Sequence, residues 1–330
     1  MKAILNILLK LLVSAGLLFY LISQVTLNDF EDEFSETVPL FFLLAVGFFI
    51  ISNGLGACQW YFLLRAQNLQ IKFGQAMIAY WIGVFFNNVL LGNIGGDALR
   101  IYDVQRLTGD LRRAAAATFM DRLIGLFATC SLALAALFIV DTIRESGIVS
   151  VIAPVWLGLI TLFAMGLSRR IGNFIDSIIA QILPFRIGRL VCKLRSSIFV
   201  YRHKNIVLLG VVSMSLTVQF ARILVYWAAG RAVGLQISLI YFIGFQPVAA
   251  VISALPISIG GLGIRENIFV ELFSPTGVSE SAVLAMSLLG YTAGIIASLL
   301  GALAFVARRI KKIGPSIQNK EKSGAIEDGN

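Results

Sequence analysis

Six stretches of this 330-residue chain run apolar for about 20 residues or more: about 4–27, 39–64, 118–140, 148–168, 205–230 and 282–306. No other feature narrows the possible folds as much. A hydrocarbon layer of about 30 Å is crossed by roughly 20 helical residues, and a helix satisfies its backbone N–H and C=O groups within one segment. The fold class that follows is all-α, a polytopic membrane helix bundle with six spanning helices. Composition agrees, at 58% hydrophobic residues and a mean hydropathy of +0.86, against roughly 45–50% apolar usage in soluble domains.

Two more segments, 75–92 and 236–258, are apolar enough to enter a bilayer, but each runs straight into a glycine-rich motif. Loop charge decides how they enter. The stretch 169–204 carries eight basic residues (Arg169, Arg170, Arg186, Arg189, Lys193, Arg195, Arg202 and Lys204) against the single acid Asp176. Basic loops stay cytoplasmic. Arg308, Arg309, Lys311 and Lys312 place the C-terminal end on that side, and Lys2 and Lys10 place the N-terminus there. The acidic loop of Asp29, Glu31, Asp32, Glu33 and Glu36 falls outside. If 75–92 and 236–258 both spanned, the most basic stretch of the protein would lie on the outer face. If each enters and leaves by one side, all three basic regions fall inside. The expectation is therefore two re-entrant helical hairpins, with both termini cytoplasmic in a multi-pass inner-membrane protein.

The order is then helix, helix, hairpin, helix from the cytoplasm, repeated from the outside. That is an inverted repeat with opposed hairpins, its halves at about 1–145 and 146–315 of a single membrane domain 1–315. The motifs agree with it. Ile94-Gly95-Gly96-Asp97-Ala98-Leu99-Arg100 aligns with Ile259-Gly260-Gly261-Leu262-Gly263-Ile264-Arg265, the triplets 165 positions apart, and the next long helix begins 24 and 23 residues on. Discontinuous helices meeting near the midplane of an inverted repeat are the architecture of many transporters.

The motif has its own chemistry. Consecutive glycines permit a tight turn, and their amides, with the positive end of the following helix, form the kind of site that phosphates use. Gly95, Gly96, Gly260 and Gly261 are the candidates. Arg100 and Arg265, four residues past the second glycine, would offer a bidentate fork to an anion; the competing role is snorkelling to headgroups. Asp97 can cap its helix and Glu266 can pair with an arginine. Ionisable groups at membrane depth are costly, so both, together with Asp121, Arg122 and Arg222, are candidates for a permeation path. Arg222, deep in a span and without an adjacent acid, needs water, a partner side chain or a lipid phosphate.

Other classes recede. His203 is the sole histidine, and no G-x-x-x-x-G-K-[ST] loop occurs, so neither a His-based triad nor ATP hydrolysis is expected. Cys58, Cys130 and Cys192 lack metal-type spacing and read as packing residues. No cofactor, metal or nucleic-acid partner is expected. Leu11–Val25 is read as a retained first helix rather than a signal peptide, because no small-x-small cleavage pattern follows it. Ile187, Leu190, Val191, Leu194 and Ile198 lie at helical spacing among arginines, as in an interfacial helix resting on anionic lipid. Residues 316–330 read as a disordered cytoplasmic tail.

The phrases "LPISIGGLGIRE", Leu255–Glu266, and "GNIGGDALRIYDVQRLTGD" before "AAAATFMDRLIGL" resemble the lysylphosphatidylglycerol synthase transmembrane region, or flippase-like family, over residues 5–310. In the family's best-understood members, the resemblance implies, the membrane region is a lipid flippase joined to a separate synthase portion. The short tail after Lys312 leaves no room for the synthase portion, so no enzymatic activity is expected. The first motif has Leu91-Gly92-Asn93 where the commoner form carries a proline. Two functions follow as expectations. One is transbilayer movement of a phospholipid or lipid-linked sugar with an anionic headgroup, by equilibration or with a proton carried on Asp97, Asp121 or Glu266. The other is a non-transporting membrane partner that anchors or regulates a glycosyltransferase or lipid-modifying enzyme.

Overall fold

The protein is described from a computed structural model at residues 38–89, 95–136, 138, 144, 149–168, 198–253, 261 and 263–327. The expected first helix, about 4–27, lies outside these residues, as do Gly260, Cys192 and nearly all of the basic stretch 169–204. Nine α-helices occur among the described residues: α1 Pro39–Ala66, α2 Phe73–Val89, α3 Gly95–Thr108, α4 Leu111–Ala136, α5 Val149–Leu167, α6 Asn205–Ala232, α7 Leu239–Ser253, α8 Ile264–Phe273 and α9 Glu280–Glu327.

Five helices are long and apolar enough to cross a membrane, in Pro39–Ala66, Leu111–Ala136, Val149–Gly166, Asn205–Ala232 and Glu280–Arg308. They coincide with five of the six expected spans. Each keeps an apolar face outward: Leu40 and Leu43 on α1, Leu157 on α5, Leu209 on α6 and Leu303 on α9 are exposed, the pattern of a chain solvated by lipid. The last helix, α9, has 48 residues and runs well past the apolar stretch; each added helical residue gains one hydrogen bond once a turn exists.

The glycine motifs break the remaining apolar segments into pairs of short helices. α2 has 17 residues, α3 14, α7 15 and α8 10. At 1.5 Å per residue none exceeds about 26 Å, short of a ~30 Å hydrocarbon layer. Each pair folds back on itself. Gly96 lies against Gly83 and Asn87, and Arg100 against Gly83 and Tyr80, so α3 retraces α2. Gly261 lies against Ser253, and Phe273 packs on Phe242 and Phe245, so α8 retraces α7.

The helix contacts come in exchanged pairs. α2 packs on α9 as α7 packs on α4; α1 packs on α4 and α9 as α6 packs on α9 and α4; α1 and α6 pack on each other. α1 and α6 run antiparallel: the Val38 amide donates to the Ala232 carbonyl at 2.8 Å, and Tyr201, just before α6, donates to the Leu63 carbonyl at 2.9 Å. Each hairpin starts beside the end of its preceding long helix. The two hairpins therefore enter the bundle from opposite ends.

Two apolar clusters hold this frame. One gathers Trp60, Leu63, Tyr80 and Met120 around the first hairpin; the other gathers Phe242, Phe245, Phe269 and Phe273 around the second. The Phe245 and Phe273 rings meet edge to face at 4.8 Å, a geometry worth about 0.5–1.5 kcal/mol beyond area burial.

Candidate functional site

At the tip of the first hairpin the Gly96 amide donates to Asn87 Oδ1 at 2.9 Å. An amide expected to lie open to an anion is instead satisfied by α2, because a helix end buried without a partner is costly. Only glycine fits there: a Cβ at position 96 would sit 1.9 Å from the Gly83 carbonyl oxygen. Gly95, one residue earlier, opens α3. Asp97 accepts a bidentate pair from Arg122, Nε at 2.8 Å and Nη2 at 2.7 Å.

Arg100, expected to offer a fork to an anion, is held by carboxylates of the protein itself. It is buried, donates to Asp121 at 3.0 Å, lies 3.2 Å from Asp97, and rests against the rings of Trp60 and Tyr80. Gln59 donates to the other Asp121 oxygen at 2.8 Å. Arg100 and Asp121 thereby rivet α3 to α4. The reason is energetic, since a buried guanidinium needs a carboxylate more than it needs a transient ligand.

The second tip solves the same problem differently. Gly261 and Gly263 take φ of +78° and +83°, a region that side chains disfavour. The Gly263 amide donates to Glu266 Oε2 at 2.7 Å, closing the first turn of α8 on itself. Glu266 Oε1 accepts from Arg265 at 2.6 and 3.0 Å and from the Ser287 hydroxyl at 3.1 Å. Glu266 is 0% exposed, which puts it behind the site rather than in it. Arg265 lies over the Tyr291 ring and reaches the cavity.

Between the tips lies a cavity of about 610 Å³, lined from every described helix except α5. Asp97, Asp121, Arg122, Arg222 and Arg265 all border it. A smaller space of about 190 Å³ beside it is bordered by Arg100. Ten of the eleven residues singled out in the sequence are described, and six of them border these two spaces, the five above and Arg100; Glu266, Gly95, Gly96 and Gly261 form the walls and turns behind.

Four guanidiniums, Arg100, Arg122, Arg222 and Arg265, meet three carboxylates. Each carboxylate has its arginine: Asp97 with Arg122, Asp121 with Arg100, Glu266 with Arg265. Arg222 is left over. It sits on α6 ten residues before Ala232, about 15 Å from the helix end, borders both spaces, and makes no hydrogen bond or ion pair among the described residues. No cluster of three or more His, Cys, Asp or Glu side chains suited to a metal occurs among the described residues.

Sequence reasoning missed Asn87, Gln59 and Ser253. Asn87-Asn88, two amides inside "GVFFNNVL", was the available signal for the first. Gln59 and Ser253 carry no local signature, because their role arises only from helices distant in the chain.

The family model described as the lysylphosphatidylglycerol synthase TM region matches residues 7–311. A UPF0104 membrane protein of Pyrococcus horikoshii is 23% identical over 297 residues, 82% of this chain and 87% of the relative. A UPF0104 membrane protein of Methanothermobacter thermautotrophicus is 24% identical over 331 residues, 91% of this chain and 93% of the relative. This multi-pass membrane protein belongs to the lysylphosphatidylglycerol synthase transmembrane-region family.

Proposed function

We propose that the chain moves a phospholipid or lipid-linked sugar between leaflets, the headgroup passing through the cavity between the two hairpin tips while the acyl chains stay in the bilayer. The two halves form an inverted repeat in this reading, with α2–α3 and α7–α8 re-entering from the cytoplasmic and outer faces of the inner membrane. The single observation that carries it is an interior cavity, reached by hairpins from opposite ends, that holds one guanidinium more than its carboxylates neutralise. A site of this size, within the ~300–1,000 Å³ usual for small ligands, suits a headgroup and is too small for the whole lipid.

Exchange by equilibration fits better than proton coupling. A proton taken up by Asp97, Asp121 or Glu266 would leave a guanidinium unpaired beside it, and such a break is costly. The test is reconstitution in liposomes with dye-labelled phospholipids and a quencher added outside. Faster loss of inner-leaflet signal than in empty vesicles is expected; identical traces across anionic and glycosylated reporters would remove the proposal. Anchoring of a glycosyltransferase or lipid-modifying enzyme predicts instead that cavity substitutions spare the cellular phenotype.

A further inference from the structure

The chemistry of the cavity specifies its headgroup further, on the transport reading above. We infer that Arg222 is the phosphate-binding residue, and that the headgroup it takes carries one phosphodiester charge together with uncharged hydroxyl-bearing groups.

The charge balance comes first. Three of the four guanidiniums are matched one to one by carboxylates, so the site has one positive charge to offer, on Arg222. A phosphodiester is a monoanion and neutralises it. A diphosphate brings more negative charge than the site can match, next to Asp97 and Asp121. An ammonium-bearing headgroup adds a cation among four guanidiniums. An unpaired charge at membrane depth is expensive to maintain, and Arg222 gives the protein no ion pair in return among the described residues.

The polar atoms come second. Gln59 Oε1 and Ser253 Oγ are buried with no hydrogen-bond partner among the described residues, and both residues border the cavity. They come from α1 and α7, on opposite halves of the molecule. Gln246, 5% exposed, also borders the cavity and makes no hydrogen bond among the described residues. Buried polar atoms are ordinarily satisfied, and an orphan carbonyl oxygen, hydroxyl and amide flanking a lone guanidinium are what a phosphate esterified to a polyol or sugar would satisfy.

The experiment measures binding and transport on the same detergent-purified and reconstituted chain. Native mass spectrometry titrates phosphatidylglycerol, a polyprenyl phosphohexose, a polyprenyl diphosphate and phosphatidylcholine, and soluble glycerophosphoglycerol separates a free phosphodiester from a lipid-borne one. Phosphatidylglycerol and the phosphohexose should bind at least tenfold more tightly than phosphatidylcholine or the diphosphate. Arg222→Gln should lose tenfold or more for both, and Arg222→Lys should recover most of that loss. Phosphatidylcholine or the diphosphate binding as well as phosphatidylglycerol, or unchanged binding in Arg222→Gln, would overturn the inference. Binding of glycerophosphoglycerol as tight as that of the lipids would move the ligand from a lipid to a soluble phosphodiester. The ligand-free Arg222→Gln protein should melt no lower than the parent; a clear drop would mark Arg222 as structural and overturn the assignment. Arg222-dependent binding without leaflet exchange would retire transport and keep the site, whereas exchange that ignores Arg222 would do the reverse.

Discussion

At residue scale the backbone approach at Gly96 sets the sharpest constraint. A Cβ there meets the Gly83 carbonyl oxygen at 1.9 Å and Asn87 Oδ1 at 2.7 Å, so Gly96→Ala must push α3 off α2. The expected cost is about 3 kcal/mol or more, at or above the upper end for overpacking, read as a fall in melting temperature and loss of the folded fraction in detergent. Gly47→Ala is the matched control: nothing lies within 4 Å of its Cβ, and the exchange should be neutral or stabilising by up to about 1 kcal/mol. Glu266 gives the second prediction at this scale. Glu266→Gln leaves Arg265 with a weaker acceptor in a fully buried place, so stability should fall by about 3 kcal/mol. Ile264→Ala or similar changes at neighbouring motif positions are not equivalent tests, because it is the Glu266 carboxylate that holds both the Gly263 amide and the Arg265 guanidinium. A spacing rule locates arginines; it cannot tell which will be spent on an ion pair, as Arg100 is on Asp121, while Arg222, with no motif around it, has no ion pair among the described residues.

At element scale the long helices were legible and the hairpins' inner bonding was not. The spans are written in runs of apolar residues whose length alone is decisive. The hairpins depend on side chains that meet across a turn, such as Asn87 with Gly96, and no local pattern announces them. One tie between elements makes a clean test. Arg308 on α9 forms a two-pronged pair with Asp103 on α3, binding the first hairpin to the last helix of the other half. Asp103→Asn and Arg308→Gln should each destabilise, and the double variant should lose less than their sum. A coupling of about 1–3 kcal/mol is expected from thermal melts of the four proteins, as for residues sharing an ion pair; strict additivity would show that the pair contributes no mutual stabilisation.

At the scale of the whole molecule, the topology predicts a labelling pattern. With Cys58, Cys130 and Cys192 replaced by serine, a single cysteine is placed at Arg112, after the first hairpin, or at Glu280, after the second. Both sites are exposed. A membrane-impermeant maleimide applied to intact spheroplasts should label the Glu280→Cys protein and spare Arg112→Cys until the cells are opened. Equal labelling from outside would mean that the hairpins do not enter from opposite faces. The expected sidedness comes from loop charge, since basic loops stay cytoplasmic; the pairing of α1 with α6 could not be read, since it joins residues as distant as Leu63 and Tyr201, 138 positions apart. The antiparallel α1–α6 pair has a last consequence. On the proposed inverted-repeat reading, with two halves of one shape head to tail about a shared pair of helices, each posture of the molecule would have a twin in which the halves have traded postures, and the twin would face the other leaflet. The resting orientation is then decided by whatever the halves do not share, and the clasp of Arg308 on Asp103 is one such asymmetry, a weight on one pan of an otherwise level balance.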